Sequence, residues 1–242
     1  MHEKNIAFIV EGLTESIFLR YFLGLHIPDH IHLTTATVGK DNNLEHYKIR
    51  LRNPNPEYRI LIINAANDDK VLKIMGTHGL SLFKDPVFSV VGLRDMYCDK
   101  YDTDSRGKID QAVTQQSYDN VAAALKLLEA KTTGKMYFFF SVMEVEAWFL
   151  AMPSVIRKLG ASFDNHKLKH YESLDDVEVI YKPSNALSDI YEAAGSNYTK
   201  DESCIEALSS YIDYDDIANL SRSNKSDSFS KFYSFFLEEV VC

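Results

Sequence analysis

Carboxylates stand in this sequence where apolar runs stop. "FIVEG" meets Glu11, "VVGLRD" ends in Asp95, and "YFFFSVMEVE" ends in Glu144 and Glu146. Short uninterrupted apolar runs read as strands covered on both faces. In open α/β sheets, ligands bind outside the carboxyl ends of the strands. If these strands are parallel neighbours, their acids converge from distant parts of the chain. Gathered carboxylates repel one another unless a cation joins them, and an all-oxygen donor set suits Mg²⁺, Mn²⁺ or Ca²⁺. The competing reading makes each acid a solvated strand end, or a first-turn helical residue favoured by the helix dipole. The coincidence of several such strand ends favours the metal site.

The elements that must position these acids alternate along the chain. "NIAFIV" (5–10) is the first strand, and "LTESIFLRYFLGL" follows as a helix with apolar residues at 13, 17, 18, 21, 22 and 25, stopped by Gly24 and Pro28. "IHLTTATV" (31–38) is β-branched and reads as a strand, while "NLEHYKIRLRN" reads as a short helix closed by Asn53-Pro54. "YRILIINAA" (58–66) is a third strand, "DKVLKIMGTHG" a helix, and "PVFSVVGLRD" (86–95) a fourth strand. The polar segment 96–111 reads as a loop, and "SYDNVAAALKLLEAKTTG" as a helix capped by Ser117 or Asp119. "KMYFFFSVM" (135–143) is another strand; beyond residue 153 the chain is mostly helical, with polar turns at 162–166, 182–185 and 221–228. This alternation predicts an α/β fold: a mainly parallel sheet flanked by helices in residues 1–152, with a mostly helical C-terminal region, 153–242, packed on it. Trp148, in "EAWFL", is expected to be a core anchor of the first tail helix.

Composition narrows the function. The 242 residues carry a formal net charge of −9, unfavourable for a generic polyanion binder but compatible with a nucleic-acid enzyme whose acids hold metal. No apolar stretch is long enough to span a membrane. The chain goes from Met1-His-Glu-Lys directly into a strand, so no signal peptide is expected. Cys98, Cys204 and Cys242 are scattered, as in a reducing cytosol, and a cytoplasmic protein is expected. There is neither a Gly-x-x-x-x-Gly-Lys-Ser/Thr nor a Gly-x-Gly-x-x-Gly motif.

"FIVEGLTES" resembles the first motif of TOPRIM domains, the metal-binding α/β module of topoisomerases, primases and OLD-family nucleases. With "LRDMYC", "MEVEAWFLA", "KPSNALSDIY" and "YTK" in order, nearly the whole chain is similar to an uncharacterised bacterial TOPRIM-like family. The resemblance implies Mg²⁺ or Mn²⁺ as cofactor and a phosphodiester nuclease acting on nucleic acid, DNA or RNA. It also implies a setting in defence against phage, with an ATPase as partner. By the same resemblance Glu11 contacts metal or acts as general acid/base, and Asp95, Glu144 and Glu146 are metal ligands. Lys200, in "YTK", would stabilise charge developing on the scissile phosphate. Glu15 is either a further metal-site residue or the acid of a capping box. The chain departs from the TOPRIM pattern where an Asp-x-Asp motif is expected. Asn64 ends the third strand, with Asp68-Asp69 displaced, and Tyr97 stands two residues after Asp95, with Asp99 beyond it. The departure shifts metal binding towards Glu144 and Glu146. It also leaves a rival open: a non-catalytic module of the same fold that binds a nucleotide or a partner.

Overall fold

The computed structural model describes residues 4–27, 29–54, 56–82, 88–132, 134–159, 169–171 and 173–241. Pro28 and the polar turn at 162–166 lie outside the described residues, as does the start of the fourth apolar run. The strands are β1 (Lys4–Val10), β2 (Ile31–Val38), β3 (Leu44–Leu51), β4 (Tyr58–Asn64), β5 (Phe88–Asp95) and β6 (Lys135–Ser141). They form one six-stranded sheet in the order β3-β2-β4-β1-β5-β6. β1 pairs in parallel with β4 and β5, and β4 in parallel with β2. Val10 stands opposite both Asn64 and Leu93, so β1, β4 and β5 reach their carboxyl ends at one edge. The fold is thus α/β with a mostly parallel sheet and a helical C-terminal region, as the alternation of elements predicts.

The chain divides into two compact units. One comprises residues 1–94 and 111–140, and the other residues 95–110 and 141–242. In the first, Ala7, Ile9, Ile63, Val90 and Met136 form a buried core with Val71, Ile74 and Met75. The last three residues come from α2 (Lys70–Ile74) and the wider π turn Met75–Gly79 that continues it. Gly92 is required there, since a Cβ would stand 2.5 Å from the Phe138 ring and 2.7 Å from the Met75 sulfur.

Three expectations change in detail. Residues 44–51 are not a helix but β3, antiparallel to β2. The cause is the turn before it: Gly39 N–H donates to the Asn43 carbonyl at 2.9 Å, and Asn42 N–H to the Gly39 carbonyl at 3.1 Å. Asn42 supplies the left-handed φ of 57° that folds the chain back on β2. The segment 96–111 is not all loop, because α3 (Asp99–Ser105) forms within it. Cys98 Sγ accepts from Tyr101 N–H at 3.4 Å, and Asp99 and Asp102 lie in the first turn where the dipole favours them. The helix α4 (Gln111–Glu129) starts before Ser117 and Asp119, so neither caps it; Ser117 Oγ donates to the Val113 carbonyl at 3.0 Å.

The second unit continues through α5 (Glu146–Leu150), α6 (Pro153–Lys158), α7 (Pro183–Ala193), α8 (Glu202–Ser210), α9 (Tyr214–Arg222) and α10 (Asp227–Phe236). Trp148 is fully buried at its centre, as expected for a core anchor. Its ring lies 5.3 Å from Phe229 and 5.6 Å from Phe232, both on α10. Its indole N–H donates to Ser228 Oγ at 3.0 Å, which also accepts from Val142 N–H at 3.4 Å. One hydroxyl thereby holds α5 and the end of β6 to α10.

Candidate metal centre

Asp95, Glu144 and Glu146 come together in the second unit. Each offers a carboxylate oxygen, and these oxygens all lie within 4.8 Å of one another. All three residues are buried, Glu146 completely. Three charges so close and so dry are unstable alone: desolvation penalises each carboxylate, and each repels the other two.

The local chain is built to hold them. Asp95 ends β5, and its Oδ1 accepts from Ser141 Oγ at 2.5 Å and from Val145 N–H at 2.9 Å. After β6 the chain turns through Met143, which is fully buried and has a left-handed φ of 65°. A non-glycine residue in that region costs about 1–3 kcal/mol and persists only where its surroundings enforce it. Here the Met143 carbonyl accepts from Tyr97 N–H at 2.8 Å, and the Ser141 carbonyl from Met96 N–H at 2.9 Å. These bonds fix Glu144 and Glu146 relative to Asp95. Glu144 Oε2 accepts from Ser184 N–H at 2.9 Å, in the first turn of α7. Helix dipole and unsatisfied amide both favour a carboxylate there.

The resident positive charge is Lys200. Its Nζ is 2.9 Å from Glu144 Oε1 and 2.9 Å from Glu146 Oε1, while 47% of its side chain remains exposed. Burial alone would lower its pKa; the charges of Glu146 and Glu144 outweigh that and hold it above the ordinary lysine value. Asp201 fixes the position of Lys200 by capping α8: it accepts from Cys204 N–H at 2.9 Å, Ser203 Oγ at 2.6 Å and Thr199 Oγ1 at 2.5 Å. The hydroxyls of Ser203 and Thr199, with that amide, bring the Asp201 pKa down to about 2.

Tyr198 completes the cluster by donating from its hydroxyl to Glu146 Oε1 at 2.8 Å. Burial, then the Glu146 charge and hydrogen bond, push its pKa far above the ordinary phenol value, so it stays a protonated donor. The second oxygen of Glu146 differs from the rest. Oε2 is buried and has no hydrogen-bond partner among the described residues. A buried carboxylate oxygen without a donor costs about 1–3 kcal/mol or more, unless something else approaches it. Three neighbouring buried carboxylates, one of them with an unsatisfied oxygen, fit a hard divalent cation by donor chemistry.

Of the acids read from the sequence, the structure therefore gathers Asp95, Glu144 and Glu146, together with Lys200. Glu146 occupies the first turn of a helix rather than a strand end. Glu11 and Glu15 belong to the first unit. Glu11 follows β1, and its N–H donates to the Leu93 carbonyl at 3.2 Å. Glu15 forms the capping box of α1 (Leu13–His26), its Oε2 accepting from Gly12 N–H at 2.8 Å. Sequence reasoning gave no role to Tyr198, Ser184 or Ser141. Tyr198 stands within the "YTK" motif, two residues from Lys200; nothing in the local sequence marks the other two. Compared with models of known families, with curated proteins and with solved structures, the chain matches none.

Proposed function

We propose that this chain is a Mg²⁺- or Mn²⁺-dependent phosphodiester nuclease of the TOPRIM type, a defence effector against phage that works beside an ATPase. One observation carries the metal site: the buried carboxylates of Asp95, Glu144 and Glu146 offer oxygens within 4.8 Å of one another, and Glu146 has a second, unpartnered oxygen, Oε2. Those three residues would hold the ion. A divalent cation there would supply Lewis acidity towards a phosphodiester and lower the pKa of an attacking water. The remaining work belongs to the chain. Tyr198 and Ser184 N–H orient the two glutamates, and the Met143 turn keeps them on the Asp95 side. Lys200 has a partly exposed side chain that can meet the negative charge developing on phosphate. Glu11 keeps the acid–base or ligand part that the TOPRIM resemblance gives it.

A second reading has its own observation. Lys200 already pairs with both glutamates at 2.9 Å, so the ammonium can be the permanent cation of a non-catalytic binding module. Purified protein incubated with Mn²⁺ and labelled plasmid, single-stranded DNA and RNA separates the two, with and without an ATPase encoded beside it. For the nuclease, Glu146→Gln loses metal binding and cleavage together. Lys200→Ala loses about 10²–10³-fold in rate while metal still binds, and Glu11→Ala loses cleavage. Cleavage that persists in Glu146→Gln and Glu11→Ala is a contaminant's. No cleavage of any substrate assigns the chain to the binding module.

A further inference from the structure

Beside the carboxylates, the second unit carries a pair of tyrosines under a lysine. Tyr97 and Tyr181 meet edge to face with ring centroids 5.7 Å apart. Lys182 Nζ lies 5.6 Å from the Tyr97 centroid and 5.7 Å from that of Tyr181. Both rings are half-buried and the lysine is exposed. Neither ring belongs to the buried core, and the Tyr181 hydroxyl is tethered to the Asp102 carboxylate.

The backbone ties this platform to the carboxylates on both sides. Tyr97 is two residues beyond Asp95, and its N–H bonds to the carbonyl of Met143, next to Glu144. Lys182 directly precedes α7, whose Ser184 N–H holds Glu144 Oε2. The platform and the candidate metal ligands are therefore tied together through the backbone. Partly exposed aromatic rings beside a solvent-facing ammonium have the two properties that single-stranded nucleic acid requires. They offer a π-face for a base and a cation for its phosphate. A base within a duplex cannot leave its stack to use the ring without losing its pairing.

Building on the nuclease reading, we propose that Tyr97, Tyr181 and Lys182 form a stacking platform for an unpaired nucleobase, so that the substrate is single-stranded nucleic acid. The base rests against the tyrosines, Lys182 moves to the adjacent phosphate, and the next phosphodiester is presented towards Asp95, Glu144 and Glu146.

Binding is measured by fluorescence anisotropy in EDTA, so that neither metal nor cleavage enters. The probes are a labelled single-stranded oligonucleotide, its duplex, and a mononucleotide as competitor. The single strand is expected to bind at least tenfold more tightly than the duplex. Tyr97→Leu should weaken it about tenfold or more, and Tyr97→Phe, which can still stack, should match the wild type. Lys182→Gln should lower the salt dependence of binding by about one phosphate contact. Variants are first compared by circular dichroism and melting. Equal affinity for duplex and single strand, no effect of Tyr97→Leu, or no binding of either probe overturns the platform. A mononucleotide that competes as well as the oligonucleotide overturns the single-strand assignment in favour of a free nucleotide. Because metal is absent, single-strand binding that holds while Mn²⁺ cleavage fails would reject the nuclease reading and leave the platform standing.

Discussion

Replacing Lys200 with methionine keeps an unbranched side chain, one atom shorter, and removes its charge. Glu144 and Glu146 would then lose the ammonium now 2.9 Å from each, and three carboxylates within 4.8 Å would be left without a compensating cation. Removing one partner of a fully buried ion pair costs about 3–5 kcal/mol. Since 47% of the Lys200 side chain is exposed, solvent already screens part of its charge. A loss of about 2 kcal/mol is the appropriate scale, and at roughly 2–4 °C per kcal/mol for a chain of this size the melting temperature should fall by about 4–8 °C. Divalent cation should reverse the loss: at 100 times its Kd, an ion binding only the native state adds about 2.7 kcal/mol. Differential scanning calorimetry of wild type and Lys200→Met, in EDTA and in a Mn²⁺ titration, reads both numbers. An unchanged melting temperature in EDTA would refute the ion-pair energetics. A melting temperature that saturating Mn²⁺ raises in neither protein would refute the metal site and leave Lys200 as the cluster's own cation.

Other expectations follow from single contacts. Tyr198→Phe removes one charge-assisted hydrogen bond to buried Glu146 and should cost about 1.5–3 kcal/mol in chemical denaturation. Ser228→Ala leaves the buried Trp148 N–H without its acceptor, costing about 1–3 kcal/mol and altering tryptophan fluorescence. Gly92→Ala places a Cβ 2.5 Å from the Phe138 ring, so overpacking should lower stability by about 1–3 kcal/mol. Asp201 has its pKa lowered to about 2, so the unfolded chain takes up its proton first as the solution is acidified. Its capping contribution is present above about pH 4 and fades towards pH 2. The melting difference between wild type and Asp201→Ala should shrink across that window; a constant difference would mean that the charge plays no part.

The sheet was legible because its central strands are buried on both faces. "NIAFIV" and "ILIIN" have no polar residue inside them and "FSVVGL" has only Ser89, and a parallel sheet covered by helices is what such runs form. β3 was not, because "LEHYKIRL" is an exposed edge strand whose apolar spacing also fits a helix; the turn at Gly39–Asn43 decides it. The acids at the ends of apolar runs were visible in outline. Asp95, Glu144 and Glu146 meet because Asp95 is the last residue of β5, Glu144 and Glu146 follow soon after β6, and the two strands neighbour one another in the sheet. The contacts that tune them come from residues far along the chain. Ser184 reaches Glu144 from 40 residues away and Tyr198 reaches Glu146 from 52, separations that no local pattern encodes. The unsatisfied Glu146 oxygen exists only once the surrounding core has closed.

The most direct test is anomalous diffraction from a crystal grown or soaked with Mn²⁺. A metal centre gives one peak bounded by Asp95, Glu144 and Glu146, with carboxylate oxygens at roughly 2.1 Å as for the Mg²⁺ it replaces, the Glu146 Oε2 among them and Lys200 moved aside. No peak at saturating Mn²⁺, with Lys200 still bridging Glu144 and Glu146, would contradict it.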